Sequence, residues 1–152
     1  MGNFSKEIEK FMRKAKNALN NENGKAMRKG LNAGAKVYKD IVKPIIPVLS
    51  KSTDFRRKNT LKNNLRHKTT IARDKESGKA IIRIRRTKGR KMASIHANTR
   101  DKTDPFYWFL VDRGTSKMRG ANFMEQGKRL GEKRALEAAK NKYFEEMKKF
   151  MR

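Results

Sequence analysis

Thr69-Thr70-Ile71-Ala72-Arg73-Asp74-Lys75-Glu76-Ser77-Gly78-Lys79-Ala80-Ile81-Ile82-Arg83-Ile84-Arg85 is the stretch where the chain leaves helical periodicity. Thr69 to Arg73 favours extended backbone, Asp74 to Gly78 is a cluster of turn formers, and Ala80 to Arg85 alternates about an Ile82/Ile84 face. The pattern predicts two antiparallel strands joined by a loop. Lys88-Gly89-Arg90-Lys91 then reads as a second turn and Met92 to Ala97 as another strand, giving a small β-meander of three or four strands.

Upstream of the meander the signal is helical. Phe4, Ile8, Phe11, Met12, Ala15 and Leu19 recur at spacings that line one side of an amphipathic helix over residues 1–22. Asn20 to Gly24 carries turn formers and predicts a break, with Asn23 capping a second helix. That helix aligns Met27, Leu31, Val37, Tyr38, Ile41 and Val42 and is expected to end near Lys43, because Pro44 disfavours α geometry before it. Ala26, Gly30, Ala33 and Gly34 leave one flank nearly bare, suited to close helix approach within the chain or between subunits. Residues 44–49 read as an extended connector, residues 50–59 as a basic loop, and Thr60 as the cap of a short helix with Leu61 and Leu65 facing inward.

Downstream, Phe106 to Val111 is the most apolar and aromatic run, which calls for burial in the chain's own core or against a partner. From Phe123 onward Met124, Leu130, Ala135, Ala138, Phe144, Met147 and Met151 recur near helical spacing, with Asn122 as the candidate N-cap. The order is α+β: N-terminal helices, a small antiparallel meander, and a C-terminal helix packed on the sheet. A length of 152 residues fits one domain, with 25–152 as its core.

Charge bounds the partners. Lys and Arg number 41 against 15 Asp and Glu, a formal net charge of +26. Self-repulsion of that size weakens the compact state, and a phosphate backbone, an acidic protein surface or an anionic membrane can each offset it. The middle third is richest, with 17 basic and 3 acidic side chains over residues 51–100. Arg83, Arg85, Arg86, Lys88, Arg90 and Lys91 make the hairpin a cationic finger for a nucleic acid or an acidic partner, without sequence reading. A bland alternative is that these cations guard a sheet edge against aggregation.

Cysteine is absent, which excludes disulfides, thiolate metal sites and thiol nucleophiles. The first residues lack an apolar signal core, Lys6 stands where a myristoylation motif needs Ser or Thr, and no stretch is apolar for long enough to span a bilayer. His67, assigned to a basic helix, and His96, assigned to a strand, form no catalytic spacing. Asp101 and Asp104 could in principle hold a divalent metal, but a polar loop ahead of Pro105 explains them as turn residues. Gly120, Gly127 and Lys128-Arg129 do not fit a phosphate loop. No catalytic, cofactor or metal residue is assigned.

The stretch from Phe106-Tyr107-Trp108-Phe109-Leu110-Val111-Asp112-Arg113-Gly114-Thr115-Ser116-Lys117 to Phe123-Met124 resembles the signature of the tail-completion, or head–tail joining, proteins of long-tailed bacteriophages. That signature runs from an aromatic segment through an acidic residue, an aromatic and Gly-Thr to a Ser-Lys loop, then a Pro-Phe that opens the last helix. Asp112 stands in place of the usual Glu, Gly114 and Thr115 match, Arg113 replaces an aromatic, and Asn122 replaces the proline. The order of elements over residues 25–152 agrees as well, while the net charge exceeds what the family leads one to expect.

What the resemblance implies is a non-enzymatic virion protein of the neck, assembled in the bacterial host cytoplasm. It would form a homo-oligomeric ring, typically a hexamer, that touches a head connector or stopper and a tail-tube or tail-terminator protein around a DNA channel. Tyr107, Trp108, Asp112, Gly114, Thr115 and Phe123 are the motif or subunit-interface residues under this reading. By the residues alone, Gly114 supplies a tight turn, Thr115 bonds its backbone, and Asp112 pairs with Arg113 or with a neighbouring subunit's cation. The rival is a stand-alone, sequence-independent nucleic-acid-binding protein, with a small metal-dependent nuclease behind it.

Overall fold

The computed structural model describes residues 2–53, 56–86 and 103–152, with side chains from Ile8 onward. The fold is α+β. Helix α1 (Gly2–Ile45) is followed by a short α2 (Thr60–Asn63), strands β1 (Leu65–Ile71) and β2 (Gly78–Ile84), helix α3 (Trp108–Arg113), two-residue strands β3 (Gly114–Thr115) and β4 (Met118–Arg119), and helix α4 (Phe123–Phe150).

Helix α1 corrects the expected break at residues 20–24. Turn-forming side chains stay helical there because tertiary bonds hold them: the Asn23 amide donates to the Lys75 carbonyl at 2.8 Å, and the Tyr143 hydroxyl donates to Asn23 Oδ1 at 2.6 Å. The Lys75 ammonium also bonds Asn21. A polar run that signals a turn in isolation thus becomes a three-way junction of α1, α4 and the hairpin turn, and the preference for a break is overridden. Helix α1 also passes the expected stop at Lys43 and takes in Pro44, and the Ile46 amide still donates to the Val42 carbonyl at 3.2 Å.

Helices α1 and α4 lie antiparallel, with Gly34 beside Ala135 and Val42 beside Gly127. A Cβ on Gly30 would lie 2.7 Å from the Ala139 carbonyl oxygen, and one on Gly34 would lie 2.6 Å from that of Ala135. The bare flank of α1 therefore serves an intrachain contact. Helix α4 answers with a seam of its own small residues, Gly127, Gly131 and Ala135, below the buried Phe123. Leu130, Phe144 and Met151, expected on the inward stripe, face solvent instead, because the seam is set by how closely two backbones approach and not by hydropathy alone.

Strands β1 and β2 pair antiparallel from Leu65↔Ile84 to Ile71↔Gly78. Strand β1 begins earlier than Thr69, so His67 sits in a strand and not a helix, opposite Ile82. Among the described residues the sheet has two strands, fewer than the three or four expected, and the strand assigned to Met92–Ala97 lies outside the described residues. The predicted Ile82/Ile84 face is real: Ile84 is buried and Ile82 half-buried. Its partners on β1 are Leu65, His67, Thr69 and Ile71, and the Thr69 hydroxyl reaches Asn32 of α1 at 2.6 Å. Burial lowers the His67 imidazole pKa, and the Lys39 charge lowers it further.

Thr60 is the first residue of α2 and not its cap. Its hydroxyl donates to the Arg57 carbonyl at 2.6 Å, while Asn59 takes the left-handed backbone before it (φ 65°). The core gathers Val42, Ile46, Leu61, Leu65, Ile84, Tyr107 and Phe123, so the first turn of α4 meets the end of the sheet there. Among the described residues no helix is long and apolar enough to cross a membrane.

Candidate polyanion and subunit interfaces

Strand alternation builds the first surface. With Leu65, His67, Thr69 and Ile71 turned inward, the outward positions of β1 are Arg66, Lys68 and Thr70, and those of β2 are Lys79, Ile81 and Arg83, with Arg85 following. Register sets Arg66 opposite Arg83, Lys68 opposite Ile81 and Thr70 opposite Lys79. Like charges directly across a strand pair repel, so the arrangement costs stability when nothing anionic lies over it. None of Arg66, Lys68, Lys79, Arg83 and Arg85 forms an ion pair with a described residue.

Arg83 and Arg85 thus stand on the cationic face where the sequence puts them. Arg66 and Lys68 join them: a short helix carried on through His67 hides them, whereas the alternation Leu65-Arg66-His67-Lys68 carries the strand signal. Arg86 departs from expectation. Its guanidinium turns inward to a bidentate pair with Asp104, Nη2 to Oδ2 at 2.7 Å and Nε to Oδ2 at 3.1 Å. Asp104 is only 2% exposed and Arg86 20%. The bond to Asp104 raises the pKa of Arg86 above its usual value. Asp104 is committed to this pair, which removes it from the metal reading, and Asp101 lies outside the described residues. Among the described residues no cluster of three or more His, Cys, Asp or Glu is placed to hold a metal ion. Lys88, Arg90 and Lys91 also lie outside the described residues.

The aromatic segment builds the second surface. Most of its run is a short helix, α3, and it divides between inside and outside. Tyr107 is buried in the core, with the Arg56 guanidinium 4.3 Å above its ring centroid, and burial raises its hydroxyl pKa against the opposing pull of Arg56 and Thr60. Trp108 packs partly against the core, while Phe109 is 44% and Leu110 37% exposed. An apolar groove of about 420 Å³ opens beside them, walled by Pro47, Val48, Leu49, Leu110 and Met118 among others.

After α3 the chain folds into a hook. Gly114 has φ +90°, and a Cβ there would lie 2.5 Å from the Gly120 nitrogen, while one on Gly120 would lie 2.4 Å from the Arg113 carbonyl carbon. Both glycines are demanded by the close crossing of the hook's two arms. Strands β3 and β4 pair within it, the Thr115 hydroxyl accepts the Lys117 amide at 3.3 Å, and Ala121 and Asn122 amides donate back to the Val111 and Asp112 carbonyls.

Asp112 does not pair with Arg113. Its Oδ1 accepts the Met124 amide at 3.1 Å, capping the first turn of α4. Asn122 occupies the N-cap position in the left-handed region (φ 48°) and makes no side-chain cap bond, so the cap arrives from across the hook. Phe123 is wholly buried. Tyr107 and Phe123 are therefore spent on the chain's own core, Asp112 and Gly114 hold the hook, and the large apolar groups that this segment leaves exposed are Phe109, Leu110 and Met118. The chain matches no protein-family model, no curated protein and no solved structure.

Proposed function

We propose that the chain is a structural protein of a tailed-phage neck, a tail-completion or head–tail joining protein that forms a ring around the DNA channel. The observation that carries the reading is the hook from Asp112 to Met124. Its Asp, Gly-Thr and Phe are used as a rigid device that presents Phe109, Leu110 and Met118 beside an apolar groove, which suits repeated subunit contact. The ring, sixfold under the resemblance, would meet a head connector or stopper on one side and a tail-tube or tail-terminator protein on the other. The cationic hairpin face with Arg66 opposite Arg83 would meet DNA in the bore or an acidic neighbour. The role needs no turnover and no cofactor.

A stand-alone nucleic-acid-binding role shares the cationic face, and that face is the one observation favouring it. Electron microscopy of the neck of an intact particle, or of the protein assembled with connector and tail-tube proteins, separates the two. Closed rings at the junction are the expected result. Duplex binding by isolated copies, with no density in the neck, would overturn the ring reading in favour of the second role.

A further inference from the structure

Helix α1 has a third side. Gly30 and Gly34 face α4, while Met27 and Leu31 lie against the hairpin at Gly78. Arg28, Asn32, Lys36, Lys39 and Lys43 follow one another at spacings of three and four, so they share a flank that neither neighbour covers. That flank borders β1: the Thr69 hydroxyl donates to Asn32 Oδ1 at 2.6 Å, and the Lys39 charge lowers the His67 pKa. All five side chains are exposed except Lys39, which is half-buried.

Each end of the row opens into a cleft that a second element lines with a further cation. Arg28 shares one of about 470 Å³ with Lys75 of the hairpin turn, over Ile71 and Ala72. Lys43 shares another of about 600 Å³ with Lys62 of α2. Arg28, Lys36, Lys39, Lys43 and Lys62 form no ion pair with a described residue, and neither does Asp40, the one acid between Arg28 and Lys43. Like charges three and four apart on a helix repel, so the row weakens the fold until an anion lies along it. Helix α4 is basic in a different way: its cations are interleaved with Glu125, Glu132, Glu137, Glu145 and Glu146, and Lys142 and Lys149 are paired.

We propose that this flank of α1 is a nucleic-acid track, along which one phosphate backbone runs from the Lys75 cleft to the Lys62 cleft. It is a second surface, since Arg66 and Arg83 point from the open face of the hairpin and this row lies beside the face packed on α1. Two features select a phosphate backbone over an acidic protein. From Arg28 to Lys43 the row is about 22 Å long, which suits a charge repeated about every 3.4 Å along a strand and exceeds a small phosphorylated ligand. The row also offers no aromatic or aliphatic anchor, which the centre of a protein interface needs and a phosphate contact does not. A single copy carries the whole track, so the inference does not rest on the neck reading.

The test is a fluorescence titration of the full chain, freed of bound nucleic acid, with a duplex of about 20 base pairs at several salt concentrations. Lys36→Gln with Lys39→Gln and Lys43→Gln should weaken binding and lower the slope of log affinity against log salt by about 3. Arg at the same three positions should keep the slope, because it keeps the charge. Arg129→Gln with Lys133→Gln and Lys140→Gln takes as much charge from the outer side of α4 and should change the slope by less than about 1. Equal losses from the two glutamine variants would reduce the track to net charge and overturn the proposal, as would a Lys36, Lys39 and Lys43 variant that binds like the parent.

Lysine acetylation of the unaltered chain asks the same question without a substitution. The duplex should shield Lys36, Lys39 and Lys43 more than Lys133 and Lys140, and uniform shielding would overturn the proposal. Polyglutamate that shields the three as strongly as the duplex does would assign the row to an acidic protein and overturn it too. Circular dichroism on each variant confirms that its helix content matches the parent, so that loss of binding is not loss of fold.

Discussion

The Asp112 carboxylate caps the helix that begins eleven residues later, accepting the Met124 amide at 3.1 Å, while the residue in the N-cap position, Asn122, contributes no side-chain bond. The hook between them is thereby tied at both ends: the Asp112 carbonyl accepts the Asn122 amide at 2.8 Å as well. An acidic residue ahead of Gly114 is thus explained by a helix terminus rather than by an ion pair.

Removing that cap should loosen α4. Asp112→Ala is expected to cost about 1 kcal/mol, the usual worth of a side-chain N-cap, whereas Asp112→Asn keeps an oxygen that can accept the Met124 amide and should cost less. Chemical denaturation of the two variants should rank them in that order; equal losses would show that the Met124 bond contributes nothing.

Arg86→Ala would strand the Asp104 carboxylate at 2% exposure. The expected loss is about 3 kcal/mol, because a buried charge without its partner is costly, while replacing both residues with apolar ones of similar volume should recover much of it. A double-mutant cycle by denaturant melting checks this.

Gly34→Ala should destabilise despite its better helix propensity. The added Cβ meets the Ala135 carbonyl oxygen at 2.6 Å, so α1 and α4 must part. A fall in Tm, where propensity alone offers a gain of about 1 kcal/mol, is the outcome that identifies close packing as the reason for glycine.

Glu146 is held well below the usual carboxylate range, to about 2, chiefly by the Lys29 ammonium at 2.6 Å and then by Lys149 and Lys142. A group whose pKa falls on folding lends stability that is present above its unfolded pKa and lost as the pH drops through its folded one. Glu146→Gln should therefore lower stability at neutral pH and lose its effect near pH 2, as read from melts of both proteins across that range.

Arg66→Gln with Arg83→Gln should weaken duplex binding and reduce its salt slope by about 2, with no preference for sequence. Folding stability should hold or rise, since an opposed like-charged pair is removed. Unchanged affinity in a filter or fluorescence titration would move the polyanion contact away from the hairpin.

Local chemistry determined much that depends only on nearest neighbours. Alternation at Ile82 and Ile84 put Arg83 on the open face, the turn cluster Asp74 to Gly78 made the hairpin, and Gly114 marked the tight turn, because each is a matter of backbone preference over a few residues. Tertiary structure alone decided the rest. Asn20 to Gly24 stayed helical because Tyr143 and Lys75 reach Asn23 from far along the chain. Arg86 left the cationic finger because Asp104 waited inside, and Asp112 became a cap because the hook returns Met124 to it. Preferences of a fraction of a kcal/mol set the local pattern, and they yield wherever a long-range contact satisfies a polar group or closes a seam worth more.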